Sequence, residues 1–265
     1  MKVTLMIKLL SVMVLAAGLL AACSSDEQAQ QTEADVEAET EAPLNTLTQD
    51  EIDQGWVLLF DGETTNGWRG YNRDSFPDGG WVVEDDGTLR VIGTGMGEAG
   101  GEGGDIIFDE KFHNFRLSLE WKVSEGGNSG IFYLGQEIEN TPIWQSAPEM
   151  QILDNDRHPD AELGVDGNRK AGSLYDLIPA SPQNFRGAGE WNKAEVLVYR
   201  GTVVHFQNGE PVLEYHLGTP AWNEMVANSK FAEYENFGIN QPGYISLQDH
   251  GDDVWFRNIK IRQMD

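Results

Sequence analysis

Three short segments place polar side chains where a β-strand would ordinarily carry apolar ones. In Pro148-Glu149-Met150-Gln151-Ile152-Leu153-Asp154, period-two alternation puts Glu149 and Gln151 on one face and Met150 and Ile152 on the other. Asp154 joins the polar face only if a bulge adds one residue to the strand. Gly127-Asn128-Ser129-Gly130-Ile131 brings a small, amide-bearing run to the start of a strand. Ser246-Leu247-Gln248-Asp249-His250-Gly251 ends a strand with a carboxylate beside an imidazole, the side chain best suited to proton transfer near neutral pH. Each segment has a plainer alternative. A Glu-x-Gln face is often simply solvated, and a His-Gly after a strand is often only a turn. Three such segments in one chain favour a site.

Other chemistries lack their residues. The glycine-rich stretch Gly93–Gly104 has no Gly-Lys-Ser/Thr and carries Glu98 and Glu102, so it is expected to be a surface loop rimming a cleft rather than a phosphate cradle. Gly-x-Ser-x-Gly, His-Glu-x-x-His and the dinucleotide fingerprint are all missing from the sequence. The five histidines (His113, His158, His205, His216, His250) show no ligand spacing, which argues against zinc. A divalent cation such as calcium would need oxygen ligands, and Asp154-Asn155-Asp156 or Asp249 with Asp252-Asp253 are the candidates. No organic cofactor is implied. With 18 Lys+Arg against 44 Asp+Glu, the formal charge is −26, and no basic stripe offsets it. Nucleic acid is therefore not an expected partner.

The elements that must position these residues read as strands. Phe115–Val123 alternates strictly, placing Phe115, Leu117, Leu119, Trp121 and Val123 on one face. Further strands are expected at Trp56–Phe60, Trp81–Glu84, Thr88–Val91, Ile106–Phe108, Ile131–Leu134 and Glu149–Leu153. More follow at Ala194–Tyr199, Val203–Gln207, Val212–His216, Tyr244–Gln248 and Val254–Ile261. Asn208-Gly209 and Asp86-Gly87 look like two-residue hairpin turns. Only Ala221–Tyr234 has helical spacing. Many short strands without a βαβ rhythm indicate an all-β sandwich of two antiparallel sheets.

The first 22 residues are expected to be a leader. Lys2 and Lys8 precede the apolar run Leu9–Leu20, and Leu20-Ala21-Ala22-Cys23 resembles the bacterial lipobox. Cys23 is the only cysteine, so it forms no internal disulfide and is the expected lipidation site. Ser24 follows it, and by resemblance to the sorting rule of Gram-negative lipoproteins this favours the outer membrane, facing the periplasm. Residues 23–45 then form an acidic tether whose seven acids and lack of Lys or Arg keep it extended. Residues 46–265 are the domain. Without the leader lysines and tether acids, 16 basic and 37 acidic residues remain, so the domain itself is acidic.

The ordered motifs Leu58-Leu59-Phe60-Asp61-Gly62…Gly67-Trp68, Gly127–Ile131 and Glu149–Asp154 resemble the 3-keto-disaccharide hydrolase domain family. Gly172-Ser173-Leu174-Tyr175, Glu190-Trp191-Asn192 and Leu247–Gly251…Phe256-Arg257-Asn258-Ile259 continue the likeness over nearly all of 46–265. Glu137–Gln145 and Gly93–Gly104 depart from the pattern of shorter members, which leaves substrate range open. The resemblance implies a concanavalin A-like jelly roll. It also implies cleavage of glycosides whose C3 hydroxyl a glycoside 3-oxidoreductase has already converted to a ketone. That ketone acidifies the C2 proton; a base removes it, the enolate expels the C1 aglycone, and water adds back. On this basis His250 is expected as the base, oriented by Asp249, with Glu149 or Asp154 as the acid. Asn128, Gln151 and Gln248 would bind sugar hydroxyls or the enolate oxygen, and Trp144 and Tyr175 would stack on pyranose rings.

Two rivals remain at this stage. A laminarinase-type retaining β-glucanase would use Glu149-x-Gln151-x-x-Asp154 as a bulged catalytic strand, although an amide stands where the middle acid belongs. A non-catalytic carbohydrate-binding lipoprotein would use the same cleft as a lectin does. The orientation of Asp249 and His250 relative to Glu149 separates catalysis from mere binding.

Overall fold

The computed structural model describes residues 43–95 and 103–265. The leader, Cys23, the tether through residue 42 and the centre of the glycine-rich loop lie outside the described residues.

The alternating runs build two antiparallel sheets. In chain order the strands are β1 (Trp56–Leu58), β2 (Trp68–Gly70), β3 (Trp81–Val83), β4 (Leu89–Val91), β5 (Ile106–Phe108), β6 (Phe115–Val123) and β7 (Asn128–Gly135). They continue with β8 (Glu149–Leu153), β9 (Asn192–Tyr199), β10 (Thr202–Gln207), β11 (Glu210–His216), β12 (Tyr244–Leu247) and β13 (Val254–Gln263). One sheet runs β11-β10-β9-β6-β13-β4-β3, with β1 also paired to β13; the other runs β2-β5-β12-β7-β8. The result is the expected all-β, jelly-roll-like sandwich.

The strict alternation of β6 has the consequence it should. Phe115, Leu117, Leu119, Trp121 and Val123 are all buried between the sheets, each burial of a large apolar side chain contributing about 1.5–3 kcal/mol. On the opposite face Arg116 pairs with Glu195, and Glu120 accepts from Arg257 at 2.7 Å. The Asn208-Gly209 turn has both residues at positive φ, the requirement of a tight hairpin. The Asp86-Gly87 turn differs: only Gly87 is left-handed, and Gly87 N–H closes the loop on Glu84 O at 2.9 Å.

Other departures are local. β2 and a five-residue helix α1 (Gln49–Asp53) carry too few residues to show a period. The expected helix at 221–234 forms as α2 (Pro220–Ala227), capped by Thr219 and ended at Asn228. Asn45, at the end of the expected tether, is already buried and exchanges hydrogen bonds with Asn258 across the domain.

The outer face of the five-stranded sheet positions the site. Register pairs Gly130 with Gln151 and Phe132 with Glu149, so Asn128, Gly130 and Phe132 share that face with Glu149 and Gln151. Ser246, paired with Phe132, extends it onto β12. β8 is the edge strand, and residues 172–175 cover its free side through Gly172 N–H to Gln151 O, Gln151 N–H to Ser173 O and Tyr175 N–H to Glu149 O.

Candidate active site

Glu149, Gln151 and Asn128 are nearly buried, yet they line a cleft of about 180 Å³ with Gln248 and His250 as the rest of its polar floor. Trp144, Tyr175, Phe231, Tyr234 and Lys230 form the walls. The volume is below the roughly 300–1,000 Å³ that enclose drug-sized ligands, so one small unit fits with the rest of a larger ligand outside. Seven of the nine residues expected to form the site therefore converge: Asn128, Trp144, Glu149, Gln151, Tyr175, Gln248 and His250.

The floor is one hydrogen-bonded line. In the orientation that satisfies its neighbours, the Gln151 amide donates to Glu149 Oε1 at 3.0 Å and to Ser129 O at 3.1 Å. Turned the other way, the same amide donates to Asn128 Oδ1 at 3.3 Å, and the Asn128 NH2 lies 3.3 Å from His250 Nε2. Gly130 makes room for it. A Cβ on Gly130 would collide with Glu149 Oε1, so a larger residue there would have to push the carboxyl group aside.

Asp249 and Asp154 do not join this line. Asp249 accepts the N–H groups of Gly103 (3.1 Å), Gly104 (3.0 Å) and Gly251 (3.0 Å), fastening the returning end of the glycine-rich loop. Adjacent residues at the end of an extended strand point to opposite sides, so a carboxylate next to His250 in sequence is turned away from it. The carboxylate beside His250 belongs to Asp252, with Oδ2 3.8 Å from Nδ1. Asp154 fails for a related reason. The β7–β8 register runs without a bulge, leaving Asp154 beyond the strand, where it accepts from Gly126 N at 2.7 Å and Asp156 N at 3.1 Å. The bulged Glu-x-Gln-x-x-Asp catalytic strand therefore does not form.

Tyr175 reaches the cleft but is not an open stacking face. Lys230 Nζ lies 4.0 Å from its ring centroid and Arg169 Cζ 5.4 Å, while its hydroxyl donates to Asp160 at 2.9 Å. Burial, and then that bond to Asp160, hold the Tyr175 phenol well above its ordinary pKa. Trp144 packs edge-on against Tyr234 at 5.4 Å and keeps its place in the wall. Lys230 escaped the sequence reading, because a lysine just past a short helix carries no pattern. The residue as a whole is exposed, yet its Nζ lies over the Tyr175 ring, and burial lowers its pKa.

The fold also joins two histidines that the sequence leaves 92 positions apart. His158, His250 and Asp252 offer ligand atoms within 4.8 Å of one another, the only such trio among the described residues. Two imidazoles and a carboxylate suit a transition metal better than calcium. His158 Nδ1, however, accepts the Asp160 N–H at 3.1 Å, so the neutral ring carries its proton on Nε2. Metal-bound histidines instead donate their second nitrogen, so a metal here would have to break that cap. Of the oxygen ligands considered for calcium, Asn155 accepts from Ala171 N–H, and Asp253 accepts from Arg90 and Gly93.

A two-sheet jelly roll with a carboxyl group and an imidazole on the floor of a small cleft defines a protein with groups able to exchange protons with a small ligand. Comparison with known proteins narrows this class. The chain belongs to the 3-keto-α-glucoside-1,2-lyase-like domain family, whose pattern matches residues 55–262. It is 48% identical to the 3-keto-disaccharide hydrolase of Bacteroides thetaiotaomicron, over 95% of this chain and 96% of that one. Among solved structures, a protein from Parabacteroides distasonis provisionally assigned as a glycosyl hydrolase matches with a TM-score of 0.73 and 31% identity. The match covers 84% of this chain and all of that one. A second from the same organism, likewise assigned, matches with a TM-score of 0.58 and 25% identity, over 79% of this chain and 99% of that one.

Proposed function

We propose that this protein cleaves the glycosidic bond of 3-keto-glycosides by removal of the C2 proton, β-elimination of the C1 aglycone and hydration of the product. The observation that carries the proposal is the floor line, in which two amides connect Glu149 to His250. Elimination needs one group to accept a proton at C2 and another to supply one to the leaving oxygen, and the line places such groups at its two ends. Family membership and the Bacteroides relative support a keto-sugar as the substrate. Asn128, Gln151 and Gln248 bind the hydroxyls, and Lys230, the one lysine or arginine lining the cleft among the described residues, attracts the negative charge that grows on the C3 oxygen. A glycoside 3-oxidoreductase must supply the substrate, since the chemistry begins from a ketone. The leader and lipobox support export and lipid anchoring at Cys23 at the cell envelope. Labelled palmitate should enter the wild type and not Cys23→Ala.

The test of the activity is cleavage of a 3-keto-glucoside beside its unoxidised parent by the full chain. Release of aglycone from the keto form alone is expected. Cleavage of an unoxidised β-glucan would move the activity to an ordinary glycosidase, and binding without cleavage of either sugar would make the protein a lectin.

A further inference from the structure

The polarity of the floor line is set by an atom outside it. The Ser129 carbonyl oxygen can only accept a hydrogen bond. The end of the Gln151 amide that faces Glu149 Oε1 also faces this oxygen at 3.1 Å. Were that end the amide oxygen, two carbonyl oxygens would meet with no proton between them, whatever the state of Glu149. It is therefore the NH2 group. Gln151 then turns its oxygen to Asn128, in the place from which its NH2 otherwise donates to Asn128 Oδ1 at 3.3 Å, so Asn128 must turn over as well for its NH2 to answer. Turned over, Asn128 brings its oxygen to the position 3.3 Å from His250 Nε2 that its NH2 otherwise holds, and an oxygen in that place calls for a proton on the nitrogen.

We propose that the Ser129 carbonyl fixes the roles: Glu149, whose Oε1 accepts from the Gln151 NH2, is the base at C2, and His250, with its proton on Nε2, is the acid at the leaving oxygen. Gln151 and Asn128 are the positioning residues that transmit this polarity. The assignment rests on the keto-glycoside elimination described above, and it reverses the roles that the sequence led us to expect. The Asp252 carboxylate lies beside the ring, its Oδ2 3.8 Å from Nδ1. His158 stays neutral beside it, its Nδ1 occupied by the Asp160 N–H.

The proton inventory closes. In the first half, the C2–H bond breaks and its proton passes to Glu149. The electron pair moves through the enolate to form C1=C2, the C1–O bond breaks, and the aglycone oxygen takes the Nε2 proton. In the second half, water bonds to C1 as His250 takes its proton, and Glu149 returns a proton to C2. One 3-keto-glycoside and one water give a 3-keto sugar and an alcohol, and both ends of the line regain the state that Ser129 favours.

The experiment has two arms on the full chain. With 15N-labelled histidine, the His250 resonances, identified by their loss in His250→Gln, should show Nε2 protonated at neutral pH. An unprotonated Nε2 overturns the assignment. In a leaving-group series of 3-keto-glucosides, His250→Gln should lose about 10²–10⁴-fold on sugar aglycones yet keep most activity on a p-nitrophenyl aglycone, which leaves without an acid. Glu149→Gln should lose both and should stop exchange of the C2 proton with D2O. The opposite pattern makes His250 the base and overturns the proposal. If the wild type cleaves no 3-keto-glycoside, the elimination chemistry itself fails, while the His250 resonance still reports the polarity.

Discussion

His205 and His250 belong to two polar chains built to opposite ends. His205, on β10, is fully buried between the sheets. Its Nδ1–H donates to Gly172 O at 3.0 Å, which leaves Nε2 to accept from the Tyr133 hydroxyl at 2.7 Å, and Tyr133 in turn accepts from Tyr215 at 2.6 Å. Burial pushes His205 down to about 4 and raises both tyrosines, so all three are neutral at ordinary pH. The chain ties one sheet to the other and exchanges nothing with solvent. His250 ends a chain of similar length that opens into the cleft, with a carboxylate at its far end and another beside it. Identical side chains thus become an interior clamp in one place and part of an open cleft in the other, according to whether the line of hydrogen bonds closes on backbone or on space for a ligand.

The contrast predicts separable effects. His205→Ala orphans the Tyr133 hydroxyl and the Gly172 carbonyl and leaves a cavity, so it should cost about 4 kcal/mol of stability. Urea unfolding measures this, and turnover per folded molecule should fall no more than a few fold; a larger catalytic loss would mean that the interior chain also serves the cleft.

Acid should strike the same residue. His205 has a depressed folded pKa, so its contribution is full above the unfolded value near 6.5 and is lost as pH falls towards about 4, amounting to about 3 kcal/mol. Unfolding free energies at pH 7 and pH 4 should differ by roughly that much more in the wild type than in His205→Asn.

Gly130→Ala attacks the other chain. The added methyl displaces Glu149, and kcat should fall about 100-fold while the unfolding midpoint moves little. Retained kcat would show that Glu149 needs no defined position.

Lys230→Met keeps an unbranched side chain of similar length and removes the charge over Tyr175. A loss of about tenfold in kcat/KM with unchanged stability is expected from steady-state kinetics, and full activity would remove the ammonium from the reaction.

Much of this was legible in the sequence. Alternation and turn residues are local, so Phe115–Val123 and Glu149–Leu153 were bounded to the residue, and period two placed Glu149 beside Gln151 before any fold was known. The family motifs marked Asn128, Gln248 and His250 as one site. Side-chain direction past a strand end has no sequence period, which is why Asp249 and Asp154 belong to turns instead of the cleft. The meeting of His158 with His250, and the arrival of Lys230, depend on where long loops close over the sheet. Above all, a strand pattern can place an amide next to a carboxylate but cannot say which way the amide points. That was decided by the Ser129 carbonyl, an acceptor held by the register of β7 against β8, and with it the direction of the whole line.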